Sequence, residues 1–457
     1  MKGQASAARS DGVPALRARL ALMAAFSGAF FGFSISAMNQ ILDQVHREFG
    51  LTNLHEGIVV SVMHVGALVG CACASAFTDR LGRRRMLIGA GLLGAAAAPI
   101  CATAPDASVL VTGRLLLGLA VGITSAIAPL LLAELAGARS RGALITAYQL
   151  CLTVGILAAL ALGATDLANR DWRLMFAANG APAILQAVAV AFVPPAAGDL
   201  LARGRPGQAL RVLQLTRGPD EAAEELAELR ATRRRHSAGI VKTALSPDHR
   251  LPVAIAVGAA LMNALVGVGA VIYYSSLVFA SAGVGGHNGP EVASLTIGIM
   301  NVVASVFALV LIKRYARRTL LGAGLVGMAA ALCVTASGLM AGGLLSGGLT
   351  VAAVLAYIAC FAFSAGPLAW VLMAEVLPTE IRAPVAGVAL ALNWAANMLV
   401  ALVFPVVTGT PASPVRVGAV FLCFAALSLV FLMLLRRFVP ETKDRPLAEV
   451  QALLRQS

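Results

Sequence analysis

Twelve apolar runs, each near the ~20 residues a helix needs to cross a bilayer, partition this chain. They lie at about 20–42, 55–78, 86–103, 107–136, 142–165, 172–193, 251–282, 291–312, 319–342, 348–377, 383–409 and 415–438. In hydrocarbon every backbone N–H and C=O must be paired within its own segment, so runs of this length read as helices. Composition agrees: 59% of residues are hydrophobic and only 12% charged, with mean hydropathy +0.84, against about a quarter charged in soluble domains. The expected fold class is an all-α membrane protein with twelve transmembrane helices.

RARLALMAAFSGAFFGF near the N-terminus has the look of a secretory signal. Removing it leaves eleven spans and puts the two ends on opposite sides, and the charge distribution argues otherwise. With both ends cytoplasmic, Arg47, Arg170, Arg173 and Arg416 fall outside and Arg114 within a span, leaving 30 of the 35 Lys and Arg residues inside. Short loops rich in Lys and Arg stay cytoplasmic, so the orientation is N-in, C-in. The net charge of +13 is then a topology signal that calls for no nucleic acid. All seven cysteines fall inside spans, where thiols act as small packing groups, and neither disulfides, metal nor other cofactor is expected.

The chain divides into a six-helix bundle at 1–194, a cytoplasmic linker at 195–249, a second bundle at 250–438 and a tail at 439–457. Within the linker, EAAEELAELRATRRRH has the composition and acid-then-base order of a surface helix. The two halves echo each other. LLLAELAGARSRG (130–142) resembles VLMAEVLPTEIRA (371–383), each with arginine seven residues after glutamate, and DRLGRRR after span two has its echo in KRYARR (313–318) after span eight. Transporters built from repeats show this pattern, with substrate held between the halves. Asp79, Arg83 and Arg84, with the Glu134/Arg141 and Glu375/Arg382 pairs, are expected to form a cytoplasmic gate whose ion pairs bias one conformation over another. Gly82 permits the tight turn between spans two and three.

These residues resemble the sugar porter branch of the major facilitator superfamily over nearly the whole chain. The resemblance is carried by DRLGRRR, by GRLLLGLAVG followed by PLLLAELAGARSRGALITAYQLCLTVGIL, by GPLAWVLMAEVLPTEIRA, by NWAAN and by PETK (440–443). It implies the twelve-helix facilitator fold in two six-helix pseudo-repeats, short cytoplasmic helices in the central loop and alternating access to a central sugar site. The family's binding roles fall on Gln149, Asn263, Asn301, Trp370, Trp394 and Asn397, and its outer gate on Tyr273 and Tyr274. Elementary chemistry agrees: amides offer donors and acceptors to hydroxyls, indoles offer an apolar face with an N–H at one edge, and Gly366–Pro367 should break a helix that lines a cavity. A plainer role for an intramembrane asparagine is to bond one helix to another.

Departures from the family pattern bear on the cargo. In NALVGVGAVIYY (263–274), Ala264 and Gly269 stand where amides are expected, which should weaken discrimination among hydroxyl patterns. The loop after span six keeps the ARGR ending but lacks the PESPR-like core; Lys313 and Ala316 depart from the second loop motif, so a weaker cytoplasmic lock on the C-terminal half is expected. In span one Ser34 occupies the place where proton-coupled members carry an aspartate that pairs with Arg114; serine does not titrate near neutral pH. A facilitator is therefore expected. A proton-coupled symporter, with His64 as the titrating group, or a carrier of a small organic acid held by Arg114, are the alternatives.

Span five, ALITAYQLCLTVGILAALALG, has no proline and so lacks the Gly-Pro-rich motif of a drug exporter. The short tails disfavour a membrane sensor, and no Ser/His/Asp, metal-ligand or phosphate-loop constellation suggests an enzyme. The expected partners are a monosaccharide or polyol and the lipid bilayer, the chain working as a monomer in a plasma membrane.

Overall fold

The computed structural model describes residues 2–136, 138–165, 171–235, 246, 249–284, 289–341, 346–409, 412–443, 445 and 447–456. Among them twelve helices are long and apolar enough to cross a membrane, and no strand occurs. In order they are Pro14–Ser36, Asn53–Thr78, Arg83–Ala102, Ala107–Leu135, Gly142–Gly163, Arg173–Ala191, Arg250–Ser281, Gly289–Arg314, Arg317–Ala341, Gly347–Val376, Pro384–Thr408 and Pro414–Phe438, here spans one to twelve. A short helix, Leu42–Phe49, joins spans one and two. Helices Ala197–Ala202, Pro206–Gln214 and Pro219–Arg235 occupy the central loop, the last on the acid-then-base segment. A tail helix, Leu447–Gln456, buries Val450 and Leu454.

The packing repeats from one half to the other. Span one lies on five, two on four and three on six; likewise seven lies on eleven, eight on ten and nine on twelve. The halves meet along two related seams, span two on eleven and span five on eight. Small residues set the intimacy of the pair formed by spans two and four. A Cβ at Gly118 would lie 2.0 Å from the Met63 carbonyl oxygen, and one at Gly66 2.2 Å from that of Leu115, so the backbones touch as Gly-based membrane contacts do.

Two spans are broken. Span seven divides into Arg250–Leu265 and Val268–Ser281 at Gly267, whose φ of +98° suits glycine alone and whose missing side chain admits the Phe424 ring. Span ten divides into Ser346–Phe363 and Ala365–Val376 at Ser364, slightly upstream of the expected Gly366–Pro367. Pro367 sits in the first turn of the second piece, where a missing N–H costs nothing; the lost bond is the one back toward Phe363. Span one also ends earlier than its apolar run: helix stops at Ser36, and residues 37–41 form turns that free Asn39 and Gln40 for tertiary bonds.

Candidate functional site

The breaks in spans seven and ten gather a chain of amides. Asn263 Nδ2 donates to the carbonyls of Ala365 (3.2 Å) and Gly366 (3.5 Å), in the first turn of the second piece of span ten. Its Oδ1 accepts from Asn393 Nδ2 (3.3 Å), which also donates to the Ala260 carbonyl (2.8 Å). Asn397 Nδ2, one turn on, donates to the carbonyl and side-chain oxygens of Asn393 (3.0 and 3.3 Å). Gly269 completes the arrangement: a Cβ there would lie 2.9 Å from Asn397 Oδ1. The side chain lost at 269 thus makes room for the amide at 397. Asn393, the first residue of NWAAN, was not among the expected site residues; its spacing of four from Asn397 on one helix face was the available signal.

Beside these amides lies an aromatic cluster made by both halves. Trp394, 4% exposed, packs its ring against Phe31 of span one (centroids 5.6 Å) and His64 of span two (5.9 Å). His64 meets the edge of Tyr273 at 4.9 Å. Of the expected outer-gate pair, Tyr273 therefore faces the opposite half. Tyr274 turns inward, donating to the Ala401 carbonyl (2.6 Å) and stacking on Phe404, and its φ of −131° kinks the helix. Gln149, Asn301 and Trp370 stand on spans five, eight and ten, Asn301 buried and the other two half-buried. No hydrogen bond joins these three to the amide chain among the described residues.

Arg114 is fully buried. Its Nε donates to the Val59 carbonyl (2.6 Å) and Nη2 to that of Val60 (3.2 Å), with the Phe176 ring at 6.0 Å. Ser34 Oγ donates to Asn179 Oδ1 of span six (3.1 Å). At the outer end a polar latch joins the halves. Asn39 Nδ2 donates to Ser275 Oγ (2.7 Å), and Asn39 Oδ1 accepts from the Ser276 N–H (3.3 Å). Ser276 Oγ donates to Gln40 Oε1 (2.9 Å), and Gln40 Nε2 to the Glu291 carbonyl (3.4 Å). The latch was not anticipated, because residues 37–41 read as the end of an apolar run.

On the cytoplasmic side each half carries a carboxylate-centred cluster of its own. Asp199 of the central loop, 4% exposed, accepts the Arg83 N–H (2.7 Å) and guanidinium (2.5 Å), and Arg83 also pairs with Glu134 (3.0 Å). The counterpart is Glu441 of the tail, which accepts the N–H groups of Arg317 (2.8 Å) and Arg318 (3.0 Å), while Glu375 receives Arg317 (3.5 Å) and the Thr442 hydroxyl (2.5 Å). Span three and span nine thus each begin on a carboxylate supplied by the segment after span six or span twelve, where the helix dipole favours negative charge. Burial pushes the Glu441 carboxyl up, but four backbone N–H donors outweigh it and hold the group below the usual 4.5. The loop that carries Asp199 lacks the PESPR-like core, so motif matching passed over it.

In the second glutamate–arginine motif the arginine takes a different partner from the one expected. Arg382 donates to the Leu377 carbonyl (3.2 and 2.9 Å) rather than to Glu375, because the helix start at Thr379 folds it back over its own first turn. Arg84 reaches the Ala191 carbonyl. The side chains of Asp79 and Arg141 lie outside the described residues.

Comparison with known proteins agrees with this architecture. Residues 20–454 match the family model described as sugar (and other) transporter. The chain is 32% identical over 436 residues to the probable metabolite transport protein CsbC of Bacillus subtilis (strain 168), covering 94% of this chain and 93% of that one. It is 33% identical over 432 residues to the galactose-proton symporter of Escherichia coli (strain K12), covering 94% and 92%. Among solved structures it superposes on the partially occluded inward-open xylose transporter XylE from E. coli with TM-score 0.80 at 24% identity, covering 94% of this chain and 100% of that one. It is a multi-pass protein of the plasma membrane with the major facilitator fold, and not an enzyme. The chain belongs to the sugar (and other) transporter family.

Proposed function

We propose that this protein carries a monosaccharide or polyol by alternating access as a facilitator, working as a monomer. The observation that carries the reading is Arg114: its guanidinium is held by two backbone carbonyls, and the span-one position that would supply an acid is Ser34, bonded to Asn179. A cation satisfied in this way needs no ionised partner whose protonation sets the cycle. The same carbonyls remove the motive for a carboxylate cargo. The amides and indoles at the junction of the halves suit hydroxyl-rich molecules, and the outer latch of Asn39, Gln40, Ser275 and Ser276 supports an inward-facing conformation.

The test is counterflow in proteoliposomes, loading pentoses, hexoses and polyols singly and following the labelled partner, then repeating net uptake under an imposed pH gradient. The expected outcome is exchange of at least one sugar or polyol, with net uptake stopping at equal concentrations with or without the gradient. Failure of every such substrate in folded protein sinks the reading of the cargo. Accumulation beyond equilibrium, abolished by a protonophore, replaces the facilitator with a symporter. The galactose-proton symporter among the relatives favours that second reading, and His64 is then the first intramembrane group to substitute.

A further inference from the structure

The second copy of the loop motif holds charge that the cytoplasmic clusters do not use. Arg83 and Arg317 each open a span on a carboxylate from elsewhere in the chain, so the two loops correspond, and Lys313 stands where the first loop has Asp79. KRYARR (313–318) therefore carries four cations and no acid. The last turn of span twelve adds Arg436 and Arg437. Folding draws these groups onto one rim: Arg318 donates to the Arg436 carbonyl, and Lys443 Nζ to that of Arg314 (3.0 Å). The nearby carboxylates are already engaged, Glu441 by four backbone N–H groups and Glu375 by Arg317 and Thr442. Lys313, Arg314, Arg318, Arg436 and Arg437 are exposed, and none of their charged groups pairs with a carboxylate among the described residues.

Apolar side chains border the rim. Tyr315 and Phe438 are exposed beside the cations, and Leu429 and Met433 of span twelve and Val326 of span nine are exposed further along the same helices. A partner at this place meets positive charge and alkyl surface together, and a soluble anion uses only the first. We propose that the cytoplasmic ends of spans eight, nine and twelve form a binding site for an anionic phospholipid of the inner leaflet. Guanidinium groups suit its phosphate, Lys313 adds a point charge, and the acyl chains cover the apolar faces. Basic clusters at the cytoplasmic ends of membrane helices recognise such headgroups. The phosphate supplies the negative charge that the second loop lacks at Lys313, and it relieves the repulsion among five like charges. Lysines and arginines beside a span also fix topology, but charge anywhere on the cytoplasmic side does that without a cluster.

The test holds the full chain in phosphatidylcholine bicelles and titrates in phosphatidylglycerol while following the midpoint of thermal unfolding. The midpoint should rise and saturate. Lys313→Gln and Arg437→Gln should each raise the mole fraction needed for half the effect about fivefold, and the two together about twenty-fivefold. Arg205→Gln with Arg211→Gln, which removes two exposed cations from the central loop, should leave the titration unchanged. Each variant's midpoint in phosphatidylcholine alone separates lost folding from lost binding. No rise in the wild-type protein, or an equal loss in the central-loop control, overturns the site. A rise of the same size from soluble glycerol phosphate overturns the lipid as its occupant.

Discussion

At the scale of single residues, Glu134 is held by Arg83, whose other partner is the buried Asp199. The described pairs of the cluster lie among spans three and four and the central loop, so its loss should alter movement more than affinity. Glu134→Gln is expected to slow counterflow severalfold while equilibrium binding of the exchanged sugar changes less than twofold, the scale of a partly exposed ion pair. Matching losses in binding and exchange count against a gating role. Gly82 is a second test. Its φ is +81°, and a Cβ there would lie 2.8 Å from Arg203 Nη2 and 3.0 Å from Asp199 Oδ2. Gly82→Ala should therefore cost about 1–3 kcal/mol in strain, read as a lower midpoint of thermal unfolding in detergent. The turn at Gly82 was legible from the sequence because glycine between two apolar runs has one obvious use. The partners of Arg83 were not, because Asp199 lies more than a hundred residues away and only folding brings it under span three.

At the scale of elements, the two carboxylates that start spans three and nine make a matched pair of experiments. Asp199→Asn and Glu441→Gln each keep the shape and remove the charge that two positive helix ends attract. Each should slow exchange by a comparable factor, and the double variant should multiply the effects, since one cluster sits at the start of span three and the other at the start of span nine. Counterflow rates of the three variants check this; an effect confined to one half shows that the clusters are not equivalent. The pH behaviour of Glu441 follows from its depressed pKa. A carboxylate lowered by folding stabilises at pH values above its ordinary 4.5 and loses that contribution as pH falls through the depressed value. Tail docking should therefore be constant through neutral pH and fail only in acid, whereas Glu441→Gln removes the ionised carboxylate at every pH. Limited proteolysis of the tail helix against pH reads this directly. The broken helices show how far local sequence reaches: Pro367 announced the interruption of span ten, but Gly267 in a run of small apolar residues gave no sign that span seven breaks as well.

At the scale of the whole molecule, the halves meet on span two against eleven and span five against eight, and a polar latch ties their outer ends. Side chains that bond only in one conformation bias the equilibrium by their differential energy. Asn39→Ala with Gln40→Ala removes the latch's side-chain bonds from the turn that follows span one, worth about 0.6 kcal/mol each by the membrane average. With four such bonds between the halves, the pair should shift the population toward an outward-open state by up to roughly fiftyfold. Distances between spin labels at the outer ends of spans one and seven, measured in nanodiscs, should gain a longer component in the variant; an unchanged distribution assigns the latch to packing alone.

Sequence by itself determined the membrane class, the number of spans, their orientation and the repeat, because hydrocarbon forces long apolar runs into helices and loop charge fixes which side stays in the cytoplasm. It also gave the residue types from which a hydroxyl-binding site can be built, including Asn263, Trp394 and Asn397. Tertiary structure decided which of these act together. Asn393 ties Asn263 to Asn397, His64 and Tyr273 come from different halves, Arg114 finds carbonyls in place of an acid, and Asp199 stands where no motif put a carboxylate. The reason is physical: an apolar run says that a helix will be buried, but each polar group on it must find a partner, and the partner lies on another helix whose register is fixed only by packing.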